Sequence, residues 1–239
     1  MTKQQKYCAL AFAALLVSGC APKDYSFEDD GAFDPIEPIN RNIYGINKVV
    51  DTIIIKPAAK IYTHFPPPLK SGLGNFFNNL GEPSNIINKT LQKQGDDVVT
   101  STARLVFNTT FGLGGLIDIA DTMDIEQTKT DFGQTFRAYT GNDGAYLVIP
   151  IFGPSSIVDA PGLAAELVAS PNTYIENNTV RYSLSGLNVA RVRESLLETG
   201  ELVDVAALDE YSFVRDARED LRRKTVPTNV WGDSENFWQ

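Results

Sequence analysis

Few residues of this chain are of the types that carry out bond chemistry in proteins. The 239 residues include two cysteines, Cys8 and Cys20, and a single histidine, His64. These numbers of cysteine and histidine residues exclude a multi-histidine metal site and a framework of several disulfides. Serine–histidine hydrolysis would depend on His64 alone, and no G-x-S-x-G motif is present, since Leu184–Gly186 is too short a match. We therefore expect no catalytic residues, no metal and no cofactor.

A glycine-rich stretch from Gly112 to Ala120 could be taken for a phosphate-binding loop. It lacks the G-x-x-x-x-G-K-[ST] spacing, and no strand–helix frame surrounds it. The apolar residues between its glycines instead favour a turn packed closely against a helix.

The first 20 residues have the layout of a secretory signal peptide. Two lysines precede an apolar run of about 10 residues, whereas a helix needs roughly 20 to span a bilayer. The following Leu16–Cys20, with the sequence LVSGC, resembles a bacterial lipobox. This resemblance implies cleavage after Gly19 and lipidation of Cys20. The alternative is an ordinary signal peptide with a chance cysteine.

The residue after the lipobox cysteine bears on the destination of the protein. In this class of lipoproteins, an aspartate in that place retains the protein at the inner membrane, whereas this chain has Ala21. The resemblance therefore implies the outer membrane. Three acyl chains, at ~0.8 kcal/mol per buried CH₂, would make such an anchor effectively permanent.

The charge of the chain excludes one class of partner. The formal net charge is −9, and it becomes −11 if Lys3 and Lys6 leave with the signal peptide. Such an acidic chain does not bind nucleic acid through its overall field. Anionic lipid headgroups would repel it as well, so we expect any contact with lipid to be apolar. The hydrophobic fraction of 43% is enough for a folded body.

Apolar residues recur mainly at helical spacing, and few segments alternate, so we predict an all-α fold. A first helix carries its apolar face at Ile39, Ile43, Ile46, Val50 and Ile53. A second helical piece follows a kink at Pro57. From Leu69 a further helix is expected to end at Gly81–Pro83, where another begins with Ile86, Ile87 and Leu91 facing inward.

The second half of the chain is predicted to contain one extended segment and two longer helices. Tyr146–Phe152 is apolar, but Pro150 argues against a central strand, so we expect a buried extended connector that leads through Ser155 and Ser156 into a helix. The two helices span Leu184–Thr199 and Val203–Arg222.

Composition divides the chain into four parts. Residues 1–19 form the signal peptide, and residues 20–33 form a polar, acidic tether behind the lipidated cysteine. The helical body spans residues 34–224, and a polar tail spans residues 225–239.

Six stretches match one family in order and spacing, and together they are specific. They are Asp34–Glu37 with Asn40, Arg41 and Tyr44; Lys56–Ala58; Asn75–Leu80 with Glu82–Pro83; Arg104 with Asn108–Thr110, Gly112–Gly115 and Asp118; Asp131–Thr135; and Tyr146–Pro150 with Gly153–Ser156. On these motifs the chain resembles the VacJ (MlaA) outer-membrane lipoprotein family over roughly residues 34–216. The triple proline at 66–68 and the C-terminal tail depart from the pattern.

The resemblance implies both a fold and a function. Family members are ring-like bundles of short, kinked amphipathic helices that enclose an amphipathic channel in the inner leaflet of the outer membrane. They associate with trimeric porins, take mislocalised phospholipids from the outer leaflet and pass them to a periplasmic lipid carrier, which maintains lipid asymmetry by retrograde transport.

The matching motifs also supply candidate lipid-binding or channel residues. They are Asn40, Arg41, Asn75, Asn79 and Arg104. A guanidinium suits a phosphate group, which favours the two arginines, although either could instead pair with Asp34 or Asp118. For the asparagines, helix capping and hydrogen bonding between helices are favoured over lipid binding.

Two other functions remain open from the sequence. The first is a structural lipoprotein that braces porins without transporting lipid, and the second, less favoured, is a lipid hydrolase.

Overall fold

The computed structural model describes residues 32–226, with the side chains of residues 204–206 excepted. The predicted signal peptide, Cys20, nearly all of the tether and nearly all of the tail lie outside the described residues. Those parts of the domain division stay predictions.

The body is all-α apart from one small hairpin, as the sequence predicted. Its helices are α1 (Glu37–Val50), α2 (Lys56–Tyr62), α3 (Pro67–Leu91), α4 (Gly95–Thr110), α5 (Phe132–Thr140), α6 (Ala160–Ala169), α7 (Asn178–Ser195), α8 (Leu197–Ala206) and α9 (Glu210–Thr225). The strands are β1 (Tyr146–Ile149) and β2 (Gly153–Ser156). Short 3₁₀ turns lie at Asp121–Met123 and Pro171–Tyr174.

The predicted kink between the first two helices takes the form of a π-helical segment, Asp51–Ile55. Pro57 lies in the first turn of α2, where its missing N–H breaks the regular ladder. The wider π turn absorbs this interruption, because its hydrogen bonds run from i to i+5. The chain therefore remains helical from Glu37 to Tyr62 instead of stopping.

The helix break predicted at Gly81–Pro83 is wrong, because α3 continues through Pro83 to Leu91. Polar groups around the proline are held by the segment before α5. The Gln127 amide donates to Glu82 Oε1 at 2.6 Å, and the Thr130 N–H donates to Asn85 Oδ1 at 3.1 Å. These long-range bonds hold the helix on both sides of the proline.

The extended segment at Tyr146 is one strand of a hairpin and not an isolated connector, which corrects the sequence prediction. The strands are antiparallel, with Tyr146 opposite Ser156 and Ile149 opposite Gly153. Ser155 and Ser156 therefore lie in β2 and not at a helix start. Pro150 lies in the turn, outside the paired residues, so its missing N–H costs no ladder bond.

Two asparagines of α1 pair with the other edge of β1. Asn40 donates to the Tyr146 carbonyl at 3.1 Å and accepts from the Val148 N–H at 2.9 Å. Asn47 does the same with the Ile149 carbonyl (3.0 Å) and the Ile151 N–H (2.8 Å). Two side chains seven residues apart thus replace a third strand.

The last helices differ in their bounds from the predicted ones. The first of them ends at Ser195, where the Arg193 guanidinium donates to the Leu196 carbonyl at 3.2 Å. Gly200 lies inside α8 and does not end a helix. The final helix begins only at Glu210 and not at Val203.

Candidate functional site

Most apolar side chains of α1 and the π-helical segment point away from the protein, although Ile43 packs against the buried core. Ile46 is 60% exposed and Ile53 is 67% exposed, whereas Asn40 on the same helix is fully buried. Other exposed members of this surface are Ile39, Val49, Ile54 and Ile61. An exposed apolar surface of this kind marks a contact with lipid or with a partner protein. Among residues 32–226, no helix combines the length and apolar character that a membrane crossing requires.

The other helices repeat this inverted distribution. On α3, Asn88 and Lys89 are buried, whereas Ile87 and Leu91 are exposed. The prediction that Ile87 and Leu91 face inward is therefore wrong. Lys89 donates from Nζ to Ser101 Oγ at 2.6 Å and to the Thr128 carbonyl at 2.9 Å, so its charge is solvated by the protein.

An ion cluster around Arg137 is also buried. Its guanidinium donates to Asp159 Oδ1 and to Glu219 Oε2, each at 2.8 Å, and all three side chains are almost completely buried. Arg218 donates to the same two carboxylates. Burial alone would raise the pKa of Asp159, but the hydrogen bonds and charges of the two arginines hold it below its ordinary value.

Asn40 and Arg41, two of the predicted lipid-binding residues, make structural contacts. Asn40 supports β1 as described and also donates to Asp34 Oδ1 at 2.8 Å. Arg41 donates to Glu37 Oε1 at 2.7 Å and to Asp209 Oδ2 at 2.5 Å. These bonds tie α1 to the start of α9 and hold the pKa of Asp209 well below its usual range.

Arg104 is buried and pairs with Asp118, one of the partners that the sequence left open. Its Nη2 lies 2.6 Å from Asp118 Oδ2, and Nη1 donates to the Ile125 carbonyl. Burial pushes the pKa of Asp118 upward, but bonds from the Asp121 N–H, the Asn108 amide and Arg104 hold it below its ordinary value.

The third predicted asparagine, Asn79, packs against the glycine-rich loop. Its amide donates to Thr109 Oγ1 at 3.1 Å, and a Cβ on Gly115 would lie only 2.6 Å from the Asn79 Cβ. The nearby Asn75 donates to the Leu116 carbonyl at 3.3 Å. This confirms the predicted packing of the loop against a helix. A part for Asn40, Arg41, Asn79 or Arg104 in lipid binding stays a prediction.

An amphipathic cleft of about 340 Å³ opens beside the exposed face of α1. Two ion pairs lie on it, Lys48 with Glu210 and Arg193 with Asp51, the latter at 2.8 and 2.9 Å. Its apolar lining includes Tyr44, Leu196, Val203 and Val214. A cleft with charged and apolar walls suits a ligand that has both a polar head and an apolar chain.

Lys129 and Arg191 escaped the sequence analysis because neither lies in a matching motif. Lys129 lies before α5, and its Nζ is 3.0 Å from Asn78 Oδ1 on α3. Arg191 lies on α7, with its guanidinium carbon 5.6 Å from the centre of the Phe77 ring. Only the fold brings them together, and no local pattern would have revealed it.

Comparison with known proteins identifies one family. A family model described as MlaA lipoprotein matches residues 32–225. Proteins of Shigella flexneri and Escherichia coli K12 named intermembrane phospholipid transport system lipoprotein MlaA are each 30% identical over 216 residues, 87% of this chain and 84% of theirs.

A solved structure shares the fold. It is described as the structural basis for maintenance of bacterial outer membrane lipid asymmetry. It matches with a TM-score of 0.69 and 27% sequence identity over 81% of this chain and 99% of its own.

Proposed function

The chain belongs to the MlaA lipoprotein family, and we propose that it removes mislocalised phospholipids from the outer leaflet of the outer membrane. It is a lipoprotein of an intermembrane phospholipid transport system that maintains outer-membrane lipid asymmetry. In this proposal the lipids pass to a carrier in the periplasm.

The observation that carries the proposal is the inverted distribution of side chains. A phospholipid has a charged head that is costly to place in hydrocarbon and tails that are costly to place in water. Apolar residues such as Ile53 face outward, and polar residues such as Asn88 lie inside. A body built in this way offers acyl chains an apolar outer surface and offers headgroups a polar route, which lowers the barrier to transfer without bond chemistry.

The protein associates with the outer membrane, and we propose that its helical body is embedded in the inner leaflet. The exposed isoleucines of α1 and the π-helical segment would then contact acyl chains. Lipidated Cys20 would serve for sorting and delivery, and the body would add its own affinity for the bilayer.

Phospholipids are the partners of this system, and we propose trimeric porins and a periplasmic lipid carrier as further ones. Porins would cover part of the outward apolar surface. The carrier would receive lipid on the aqueous side, where the acidic chain meets solvent.

In this proposal the protein transports lipid and catalyses no reaction. The relatives with a functional name are transport lipoproteins. The ring of His64 donates from Nδ1 to the Lys60 carbonyl at 2.9 Å, one turn back in the same stretch of chain. This bond suits a helix end better than a general base.

Deletion of the gene in the bacterium that carries it tests the function. We expect phospholipid to accumulate on the cell surface, measured by headgroup labelling with an impermeant amine reagent, together with sensitivity to detergent plus chelator. The wild-type gene should reverse both effects. A normal outer leaflet in the deletion strain would contradict the proposal, and porin binding without lipid transfer in reconstituted vesicles would favour the bracing function.

Cys20→Ala tests the embedding separately. If this variant is exported, the apolar outer surface should keep part of it with the membrane fraction. Recovery of the exported variant wholly in the soluble periplasm would mean that the lipid anchor alone holds the protein.

A further inference from the structure

Lys129 and Arg191 meet at one place on α3. Lys129 donates to Asn78 Oδ1 at 3.0 Å, and Arg191 lies over the ring of the preceding residue, Phe77, at 5.6 Å. Because these two residues are consecutive, cations from segments 62 residues apart converge on a single turn of the helix.

Among the described side chains, no carboxylate forms an ion pair within 4.0 Å with either cation. The guanidinium of Arg191 instead donates to the side-chain oxygen of Asn188, at 2.9 and 3.1 Å on the same helix. Glu194, one turn further on, is bonded to Lys70 at 2.6 Å. The site therefore holds two positive charges that the described part of the chain leaves without a directly paired carboxylate.

The electrostatics of the two groups agree with this arrangement. Burial lowers the pKa of Arg191 below its ordinary value. Burial also lowers the pKa of Lys129, and the nearby Arg191 charge lowers it further, outweighing the attraction of Glu82. A folded protein that holds like charges together without a counter-ion gains free energy when an anion binds between them.

A buried hydroxyl lies on α2, the helix that packs against the α7 helix of Arg191. Tyr62 is 2% exposed, and its hydroxyl has no hydrogen-bond partner in the described part of the chain. Burial raises the pKa of Tyr62, and the positive charge of Arg191 opposes the rise. Unpaired buried donors are rare in folded proteins and call for a ligand or an ion.

We propose that Lys129 and Arg191 form a binding site for a phosphate group, which in this protein is the phosphodiester of a phospholipid headgroup. This site rests on the proposed transport function and names the part of the lipid that the two cations recognise. Arginine suits a phosphate because its planar fork donates two parallel bonds, and lysine adds a point charge. The acidic chain repels anions over its surface as a whole, so a local pair of cations is needed to attract them.

The test measures binding of short-chain phosphatidylglycerol, inorganic phosphate and a diacylglycerol of the same chain length to the full-length protein in detergent. The variants are Lys129→Gln, Arg191→Gln and the double variant. We expect the affinity for phosphatidylglycerol to fall at least about tenfold in the double variant, since charge-assisted hydrogen bonds are lost. Binding of diacylglycerol should not change, because it has no phosphate.

Arg181→Gln is the matched control. Arg181 lies on the same helix and donates to the side chain of Asn178, three residues earlier, just as Arg191 does to Asn188. It should leave lipid affinity unchanged, and Lys129→Arg, which keeps the charge, should retain most of the wild-type affinity. Circular dichroism of each variant checks that it has folded.

The outcomes separate this inference from the function on which it rests. Equal affinity of the double variant and Arg181→Gln for phosphatidylglycerol would overturn the site and leave transport intact. Absence of lipid binding by the wild type would overturn both. Displacement of the lipid by inorganic phosphate at similar concentration would confirm the anion site and identify free phosphate as its ligand.

Discussion

Two groups of cations in this protein differ in what neutralises them. Arg137 is enclosed by Asp159 and Glu219, and Arg104 is bonded to Asp118. Within the described part of the chain, Lys129 and Arg191 donate their side-chain hydrogen bonds to amide oxygens.

The difference separates structural charges from charges that can bind a ligand. A buried ion pair with its hydrogen bonds complete holds elements in place, and removal of one partner leaves an uncompensated charge. A cation bonded only to an amide keeps its charge for another anion. Arg41 and Arg104, which the sequence favoured for phosphate, are paired with carboxylates and therefore belong to the structural charges. A residue type that suits phosphate is thus not enough to identify a phosphate site.

Arg137→Met removes one of the cations that are paired with carboxylates, and it has the largest expected effect on stability. It removes the buried guanidinium between Asp159 and Glu219 and leaves Arg218 as the remaining hydrogen-bonded cation of both carboxylates, so we expect a loss of about 3–5 kcal/mol of unfolding free energy, measured by urea denaturation in detergent. Arg181→Met on α7 is the control and should cost far less. A loss for Arg137→Met no larger than that of the control would show that the cluster does not stabilise the fold.

Low pH should also weaken the ion-paired group, and we expect a loss of stability smaller than that of Arg137→Met. The pKa values of Asp159 and Asp118 lie below their ordinary range in the folded chain. Their stabilisation is therefore complete above the unfolded value of about 3.9 and is lost as the pH falls through the folded values. We expect the urea midpoint to fall progressively below about pH 4.

The variant Asp159→Asn isolates one of these two groups. Because it no longer titrates at that position, its urea midpoint should depend less steeply on pH than that of the wild type. Identical pH profiles for the two proteins would contradict the assignment to Asp159.

Lys129→Gln tests the cations that are bonded to amide oxygens, and it has the smallest expected effect on stability. It removes no ion pair and relieves repulsion from Arg191, so the unfolding free energy should stay within about 0.5 kcal/mol of the wild type. Urea denaturation with Lys60→Gln, at an exposed position of α2, as a control measures it. A loss of several kcal/mol would place Lys129 among the structural charges.

Helical periodicity predicted most of the fold but not the surroundings of each helix face. The apolar spacing from Ile39 to Ile53 and from Ile86 to Leu91 was visible in the sequence. Periodicity shows that residues share a face, but it does not show whether that face meets protein, water or lipid. Ile87 and Leu91 turned outward because Asn88 and Lys89 found partners inside.

The missed boundaries depend on contacts between distant residues. Pro83 lies inside a helix because Glu82 and Asn85 are held by residues 127 and 130. The hairpin forms because Asn40 and Asn47 bind its free edge. None of these bonds is visible in a local window, since the partners are some 40 to 110 residues apart.

The candidate site was predictable only in part. The sequence pointed to arginines for phosphate and left Asp118 open as a partner of Arg104, and the structure shows that pair. Arg41 found Glu37 and Asp209, of which the second is 168 residues away. Lys129 and Arg191 stand outside every motif, and their importance comes from the absence of a nearby carboxylate, which only the three-dimensional arrangement reveals.

The π-helical segment Asp51–Ile55 sets the rotational phase between α1 and α2. Each residue of an α-helix advances the chain by about 100°, and a π turn takes up one residue more than an α turn. Because the wider turn accommodates that extra residue, deleting one residue there would restore a regular α-helix and leave buried Ala59 and Tyr62 nearly in phase with the isoleucines of α1. Deleting one residue within α1 or α2 would instead turn the two sets of side chains by about 100° relative to each other.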